Sequence, residues 1–453
     1  MTKKSPDLGR DSPIRLFFYF FVPNLCAMLA LSTYSTFDGI FVGKAIGDKA
    51  LAAIGVCWPV FPALIAFELL FGMGGASIAS YYLGKGDGYR ARLVFSSVCY
   101  FACLNSILLG FVLFCFREEI AITLGANTEI MPLVVEYLGV IFLGSFIMVL
   151  HPLLDVFTIN DKRPFLAMMA MIIGSLSNII LNYLFLFVFG LGIFGAALAT
   201  ILGHLIGICI LLTHFVYKQG KIYFVKAFSY SLLFASMKNG LPQSFSEISA
   251  GFVMILFNHK LNALGGSEAL SIYSILIYSG TIIFTIILSC AQGVQPIASF
   301  NYGARELVRV KQIFCFGVIF ANVCGVVLFV FFYVFDEFVV GLFLREDSRY
   351  LSESACYALN IHFIGYMFLG FNFVSAIFLQ SIQRPLSSFI VTLSTNFIFV
   401  IILLYLLSAV FGLNGVWASY PLSLLCASFV TSLVLYYEFS KGILRSPLAT
   451  KAR

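Results

Sequence analysis

Asp38 stands in PNLCAMLALSTYSTFDGIFVG, residues 23–43, as the one carboxylate among apolar and hydroxyl side chains. An ionisable residue inside so apolar a stretch is costly, and by default it marks an ion or substrate pathway. On a helix, Tyr34 and Ser35 lie four and three positions before Asp38, so the three share a face. A carboxylate with hydroxyls suits a proton or a hard cation. The plainer alternative is a helix-end Asp facing lipid headgroups, because the loop 43–49 follows closely.

Two further acids stand at depth. Glu68, in FPALIAFELLFGMGG, has only apolar helical neighbours in Leu64, Ile65, Phe71 and Gly72. It reads either as a cavity-lining acid that meets a cationic compound or shuttles protons, or as a neutral Glu with one interhelical hydrogen bond. Glu247, in GLPQSFSEISAG, has Gln243 and Ser244 on its own face and reads as a cavity acid. His151 and Asp155, four apart, are expected to form a structural pair. Glu136 is expected at the membrane interface, with adjacent Tyr137 turned to the cavity. The other four histidines are dispersed without ligand spacing, so no metal site is expected. The eleven cysteines are scattered through apolar runs and read as small core hydrophobes.

The elements that must position these groups are membrane helices. The chain has 453 residues, 61% of them hydrophobic and 11% charged, which excludes a soluble globular protein. Its polar start, followed by a full-length span, is not expected to be a cleaved signal peptide. Apolar runs of membrane length predict twelve helices, at 14–42, 50–82, 93–116, 131–157, 165–189, 193–217, 235–259, 268–300, 312–335, 355–381, 386–410 and 413–438. With the N-terminus inside, 21 of the 27 Lys and Arg fall in cytoplasmic segments, which places both termini in the cytoplasm. The same distribution explains the net charge of +6 without a nucleic acid. No phosphate-binding Gly-Lys-Ser/Thr loop is seen, which argues against ATP-driven pumping.

The two halves repeat. At a shift of 219, Pro23 meets Pro242, Gly47 meets Gly266, and Ile78-Ala79-Ser80-Tyr81 meets Ile297-Ala298-Ser299-Phe300. Later, Arg163-Pro164 matches Arg384-Pro385, and Phe189-Gly190-Leu191 matches Phe411-Gly412-Leu413. Six spans per half is an even number, so the repeat is parallel, and proteins of that kind bind substrate between the halves. The predicted fold is all-α integral membrane, with twelve transmembrane helices in two pseudo-symmetric six-helix lobes. Its parts are a tail at 1–13, an N-lobe at 14–217, a cytoplasmic linker at 218–234, a C-lobe at 235–438 and a tail at 439–453. The charges do not repeat: Asp38, Glu68 and Glu247 meet Phe257, Ile287 and Met28. Each half is therefore expected to do a different job, with ion coupling in the first. Pro23 and Pro242 are each expected to kink a helix.

The runs YSTFDGIFVGKAIGDKALAAIG, LAMMAMIIGSLSNIILN with GIFGAALAT, and AQGVQPIASFNYGARELVRVKQ resemble the multidrug and toxic compound extrusion (MATE) family, in its bacterial multidrug-export branch. The resemblance covers residues 14–440. It implies an antiporter of two six-helix lobes that exports bulky, often cationic compounds against H⁺ or Na⁺. Carried over, the family's first-lobe cation site falls on Asp38, Asn178, Asn182 and Thr200, and its second-lobe acid on Glu247. At Asn182 the family usually has an acid followed by Pro, whereas this chain has Asn182-Tyr183. The loss of that second carboxylate weakens the case for Na⁺, since a hard cation wants formal charge.

The expectation is a secondary active exporter of the bacterial cytoplasmic membrane. Ion coupling falls to Asp38, Tyr34, Asn178, Asn182 and Thr200. Substrate binding falls to Glu247, Glu68, Gln243 and Tyr137. The expected partners are drugs or organic cations, H⁺ or Na⁺, and membrane lipid, for a monomer that is not an enzyme and uses no cofactor. The alternatives are a lipid-linked oligosaccharide flippase of related fold, or a non-transporting membrane receptor or scaffold.

Overall fold

Long apolar runs become helices because a backbone in lipid must satisfy its polar groups internally. The structure, a computed structural model, describes residues 6–344 and 351–441. The ends of both tails, Arg345 and Arg349 of the outer-loop charge count, and the Ser35 side chain lie outside the described residues. The first half of the chain forms α1 (Pro13–Ala45), α2 (Asp48–Cys57), α3 (Val60–Gly84), α4 (Gly88–Cys115), α5 (Arg117–Thr123), α6 (Met131–Leu143), α7 (Ser145–Asn160), α8 (Pro164–Tyr183) and α9 (Gly192–Val216). The second forms α10 (Tyr230–Gly303), α11 (Leu307–Val334), α12 (Asp336–Gly341), α13 (Ser352–Phe363), α14 (Tyr366–Ser381), α15 (Pro385–Leu393) and α16 (Phe399–Ser440). No strand occurs among the described residues.

Nine described stretches, with α2 and α3, α13 and α14, and α15 and α16 each counted as one, are long and apolar enough to cross a membrane, and the pair α6–α7, bent by 48°, adds a tenth. Both α10 and α16 contain one residue of non-helical backbone, Gly266 and Gly412, and each therefore holds two spans. The twelve spans expected from the sequence are all present.

The repeat reaches down to single backbone angles. Gly47 and Gly266 both adopt positive φ, as do Gly190 and Gly412, and Gly86 and Arg305. Lys162 and Gln383, each two residues before the repeated prolines, have φ of 68° and 60°. Left-handed backbone is uncommon for non-glycine residues, so its recurrence at matched corners marks a duplicated fold. Gly144 interrupts the α6–α7 span and its counterpart Gly365 caps α14 in the same way. Short helices α5 and α12, which follow Phe116 and Phe335, are a further matched pair that hydropathy alone left as loops.

Two compact units emerge. One comprises Val22–Glu247. Within it α8 packs on α9, and α3 packs on α4 and α7. The start of α10 also lies against α3: a Cβ on Gly74 would overlap Ser236 O and fall 2.9 Å from Gly240 Cα. The other unit joins Leu8–Phe21 to the chain from Ile248 onward. There Phe17 packs edge-on against Phe316 and Phe320, with ring centroids 5.1 and 5.2 Å away. Asn301 Nδ2 and Arg309 Nη2 each donate to Leu8 O at 3.0 Å. The membership of the chain changes at Phe21–Val22, just before Pro23, and at Glu247–Ile248, shortly after Pro242. These cuts differ from the lobe limits drawn from the repeat, because contacts made by helix ends leave no repeat signal. The backbone stays helical through both prolines.

Residues 218–234 are not a free charged linker. Asp161, buried at the end of α7, accepts from His214 Nε2 at 2.8 Å and from the backbone N–H of Lys221 and Ile222 at 3.0 Å. Gly220 fits only because it lacks a Cβ, which would overlap Asp161 Oδ2. Phe224 packs on Phe95 at 4.7 Å, and Arg92 stacks over Tyr223.

Candidate functional site

Helices α8 and α9 approach closely because their facing positions are glycines. A Cβ on Gly174 would lie 2.9 Å from Gly203 O, and one on Gly203 would lie 2.9 Å from Asn178 Cβ. That approach sets Asn178 of α8 beside Thr200 of α9, with Asn178 Nδ2 donating to Thr200 Oγ1 at 3.4 Å. One turn on, Asn182 Nδ2 donates to Asn178 Oδ1 at 3.3 Å and to Asp38 Oδ1 at 2.8 Å. Asp38, Asn182, Asn178 and Thr200 thus form one continuous chain of hydrogen bonds between α1, α8 and α9. Both asparagines and Thr200 are buried, while Asp38 is half-buried. Directly after Tyr183 the helix widens into a π turn at Leu184–Val188, a distortion that recurs at functional sites.

Tyr34 and Tyr137 both lie within reach of the Asp38 charge. Tyr34 also lines a small cavity together with Ser175, Asn178, Thr200, His151 and His204. Its volume, about 10 Å³ for the centre of a water, is room for roughly one water. The oxygens around Asp38 carry one formal charge between them. Asn182 Oδ1 and Ser175 Oγ are buried and make no hydrogen bond among the described residues. One carboxylate with amide and hydroxyl oxygens beside it can take up a proton or a hard cation.

The second cluster lies deeper in the same unit. Glu68 is buried at 4% exposure and its Oε1 makes no hydrogen bond among the described residues. The side chain occupies the space where a Cβ on Gly72 would sit. Asp155 and Glu247 are both close enough for their charges to act on Glu68. Glu68, which looked isolated on its own helix, therefore belongs to a group of three acids. Gln243 and Ser244 are buried one turn before Glu247. Tyr137 is fully buried and Glu136 beside it is exposed.

The expected His151–Asp155 pair does not form. His151 Nδ1 instead lies 2.9 Å from His204 Nδ1, and Asp155 Oδ1 is buried without a hydrogen bond among the described residues. The reason is helix packing: α7 and α9 run parallel, and Gly207 opens the space that the His151 ring fills. The same register sets Asp161 against His214 ten residues further on. Both contacts join residues 53 apart in the chain. Among the described residues no group of three or more His, Cys, Asp or Glu could hold a metal.

Comparison with known proteins agrees with this architecture. The MatE family pattern matches residues 23–184 and 242–406, one stretch in each half. The chain is 26% identical to the multidrug export protein MepA of Staphylococcus aureus over 431 residues, which cover 94% of each chain. It is 24% identical to the protein of the same name from Staphylococcus saprophyticus, again over 94% of both. A solved structure described as the outward-facing conformation of a multidrug resistance MATE family transporter superposes with a TM-score of 0.90. That match runs at 23% identity over 98% of this chain and 99% of the other. With both halves matched by one family pattern and all twelve spans in place, the chain belongs to the multidrug and toxic compound extrusion family.

Proposed function

We propose that this chain is a secondary active exporter that expels hydrophobic, cationic organic compounds in exchange for H⁺ taken up at Asp38. The observation that carries the reading is the hydrogen-bonded chain from Asp38 through Asn182 and Asn178 to Thr200, which contains one carboxylate. A lone carboxylate can carry one proton per cycle. Holding Na⁺ in its place demands a fuller set of free oxygens. Support for the cargo comes from the relatives' name, multidrug export protein, and from the grouping of the acids Glu68, Asp155 and Glu247. Glu247 and Glu68 supply the counter-charge, with Gln243 one turn before Glu247, while Tyr137 lies within reach of Asp38. The chain acts as a monomer in a bacterial cytoplasmic membrane, both termini inside, and catalyses no covalent chemistry.

The test is transport of a cationic dye in proteoliposomes under a pH gradient alone and under a Na⁺ gradient alone, in the parent and in Asp38→Asn. Export driven by the pH gradient in the parent and abolished in Asp38→Asn is expected. Export driven by Na⁺ alone, or a fully active Asp38→Asn, would overturn the reading.

A further inference from the structure

On one edge of the first unit, positive side chains gather with little acid to neutralise them. Arg92 stands in the first turns of α4, Arg163 caps α8, and Lys218 and Lys221 follow the end of α9. Both lysines are exposed and both arginines half-buried. The Arg92 guanidinium stands 4.5 Å from the centre of the Tyr223 ring, and Lys218 Nζ stands 5.1 Å from the same centre. Arg92 also donates to the Tyr223 hydroxyl, and Arg163 donates to the Gln219 side chain, so these partners are neutral. Among the described residues none of the four cations makes an ion pair. The one carboxylate beside them, Asp161, is turned inward to His214 and to the backbone N–H groups of Lys221 and Ile222.

The repeat supplies an internal comparison. Arg163 and Arg384 are equivalent residues, each directly before a repeated proline. In the second unit Arg384 lies 3.7 Å from the buried acid Glu438. In the first unit the same corner offers Arg163 only the neutral amide of Gln219. The fold thus answers one arginine with a carboxylate of its own and leaves the charge of the other for a ligand.

The helices fix the depth of the group. Arg92, Arg163 and Lys218 stand within two residues of the apolar runs 93–116, 165–189 and 193–217. That is the level of lipid headgroups, where long basic side chains reach phosphates and aromatic rings anchor the backbone. Tyr217, Phe228 and Tyr230 are exposed at the two ends of the docked segment. Exposed rings beside cations suit a ligand that brings an acyl chain as well as a phosphate. A free phosphate has no contact to make with them.

We propose that Arg92, Arg163, Lys218 and Lys221, with the Tyr223 hydroxyl, bind the phosphate headgroup of an anionic membrane lipid. The site is independent of the coupling ion and of the cargo. Arg163 presents a planar fork of donors to two phosphate oxygens, and the lysines act as point charges. The Tyr223 hydroxyl accepts from Arg92, which leaves its own O–H to be donated to a phosphate oxygen. Each positive group at this level contributes about fivefold to affinity for an anionic headgroup. The bound phosphate also relieves the repulsion between Arg92 and Lys218 across their shared ring. It therefore holds residues 218–224 against the ends of α4, α7 and α9.

The experiment titrates the full chain, purified in a neutral detergent, with dioleoyl phosphatidylglycerol or with dioleoyl phosphatidylcholine, and counts retained lipid by native mass spectrometry. Phosphatidylglycerol is expected to bind at least about tenfold more tightly than phosphatidylcholine. Arg92→Gln and Lys218→Gln are each expected to weaken phosphatidylglycerol about fivefold, and the double variant about twenty-five-fold. Lys49→Gln, at the other end of the α2–α3 span and already paired with Glu129, is expected to stay within about twofold of the parent. Equal binding of the two lipids, or site variants that bind as the parent does, overturns the site. Should a variant of Arg92 or Lys218 fail to fold, Lys221→Gln decides, since it keeps the backbone N–H that Asp161 accepts. A severalfold loss of phosphatidylglycerol there upholds the site, and parental affinity overturns it. Inorganic phosphate in large excess is expected to displace little of the bound lipid. Full displacement by phosphate marks a site for a soluble anion and overturns the lipid assignment.

Discussion

Asn182 turns its amide nitrogen, not its oxygen, toward Asp38: Nδ2 donates to Oδ1 at 2.8 Å. The carboxylate is thereby satisfied by a neutral donor, and the amide oxygen is left buried and unbonded. Asn182→Asp would remove that donor and set two carboxylates side by side, an arrangement that calls for a bound cation. The variant is expected to gain Na⁺-stimulated export of roughly tenfold, the worth of about one hydrogen bond to a charged group. Export assayed with and without Na⁺ at equal pH reads this directly. No gain in Na⁺ response would show that the single charge does not set the choice of ion.

Glu247→Gln tests the counter-charge. Removing one acid from the group around Glu68 should weaken export of a permanent cation by about tenfold, equal to about 1.4 kcal/mol. A neutral compound of similar size should be affected less than about twofold. Initial rates for the two compounds settle the point, and equal losses would remove Glu247 from cation recognition.

The crossing of α3 with the start of α10 is set by glycine. A Cβ on Gly240 would overlap Leu70 O and lie 2.7 Å from Leu69 O, so backbone and not a flexible side chain must give way. Gly240→Ala is expected to cost about 1–3 kcal/mol, as overpacking typically does. A clear fall in the thermal unfolding temperature in detergent is expected, and Gly251→Ala is a control because its Cβ meets nothing within 4 Å. Equal melting of both variants would show that the helices can part at no cost.

The segment after α9 should behave as a docked strap. Asp161→Ala removes the acceptor of three hydrogen bonds, each worth about 1.5–3 kcal/mol when the acceptor is charged. Trypsin should then cut near Lys221 and Lys226 faster than in the parent, and only in inside-out vesicles. Equal rates would refute the strap. Cleavage in right-side-out vesicles would invert the orientation read from the positive charges.

Much of this fold was legible because lipid leaves few choices. Every span, the duplication and the pairing of Asp38 with Asn178, Asn182 and Thr200 followed from apolar length, matched residues and family likeness. The histidines were not legible in the same way. His151 and Asp155 share a helix face, and a rule that looks along one helix joins them. The structure favours a partner on the neighbouring helix, because Gly207 leaves room for a ring that a Cβ there would overlap. A trace did exist: 151 and 204, like 161 and 214, are separated by the same interval, as parallel spans in register require. Glu68 was misjudged as solitary for the same reason, since Asp155 and Glu247 reach it from other helices. The swapped ends of α1 and α10 left no pattern at all, because packing partners hundreds of residues away impose no local periodicity.

The first helix carries a consequence for how the molecule is made. Leu8–Phe21 packs against Phe316, Phe320, Asn301 and Arg309, which are among the later residues that a ribosome adds. For most of synthesis, the leading turns of α1 have emerged and entered the bilayer without their partners. Leu8–Phe21 thus waits for partners made some three hundred residues later, and settles only once they have followed it.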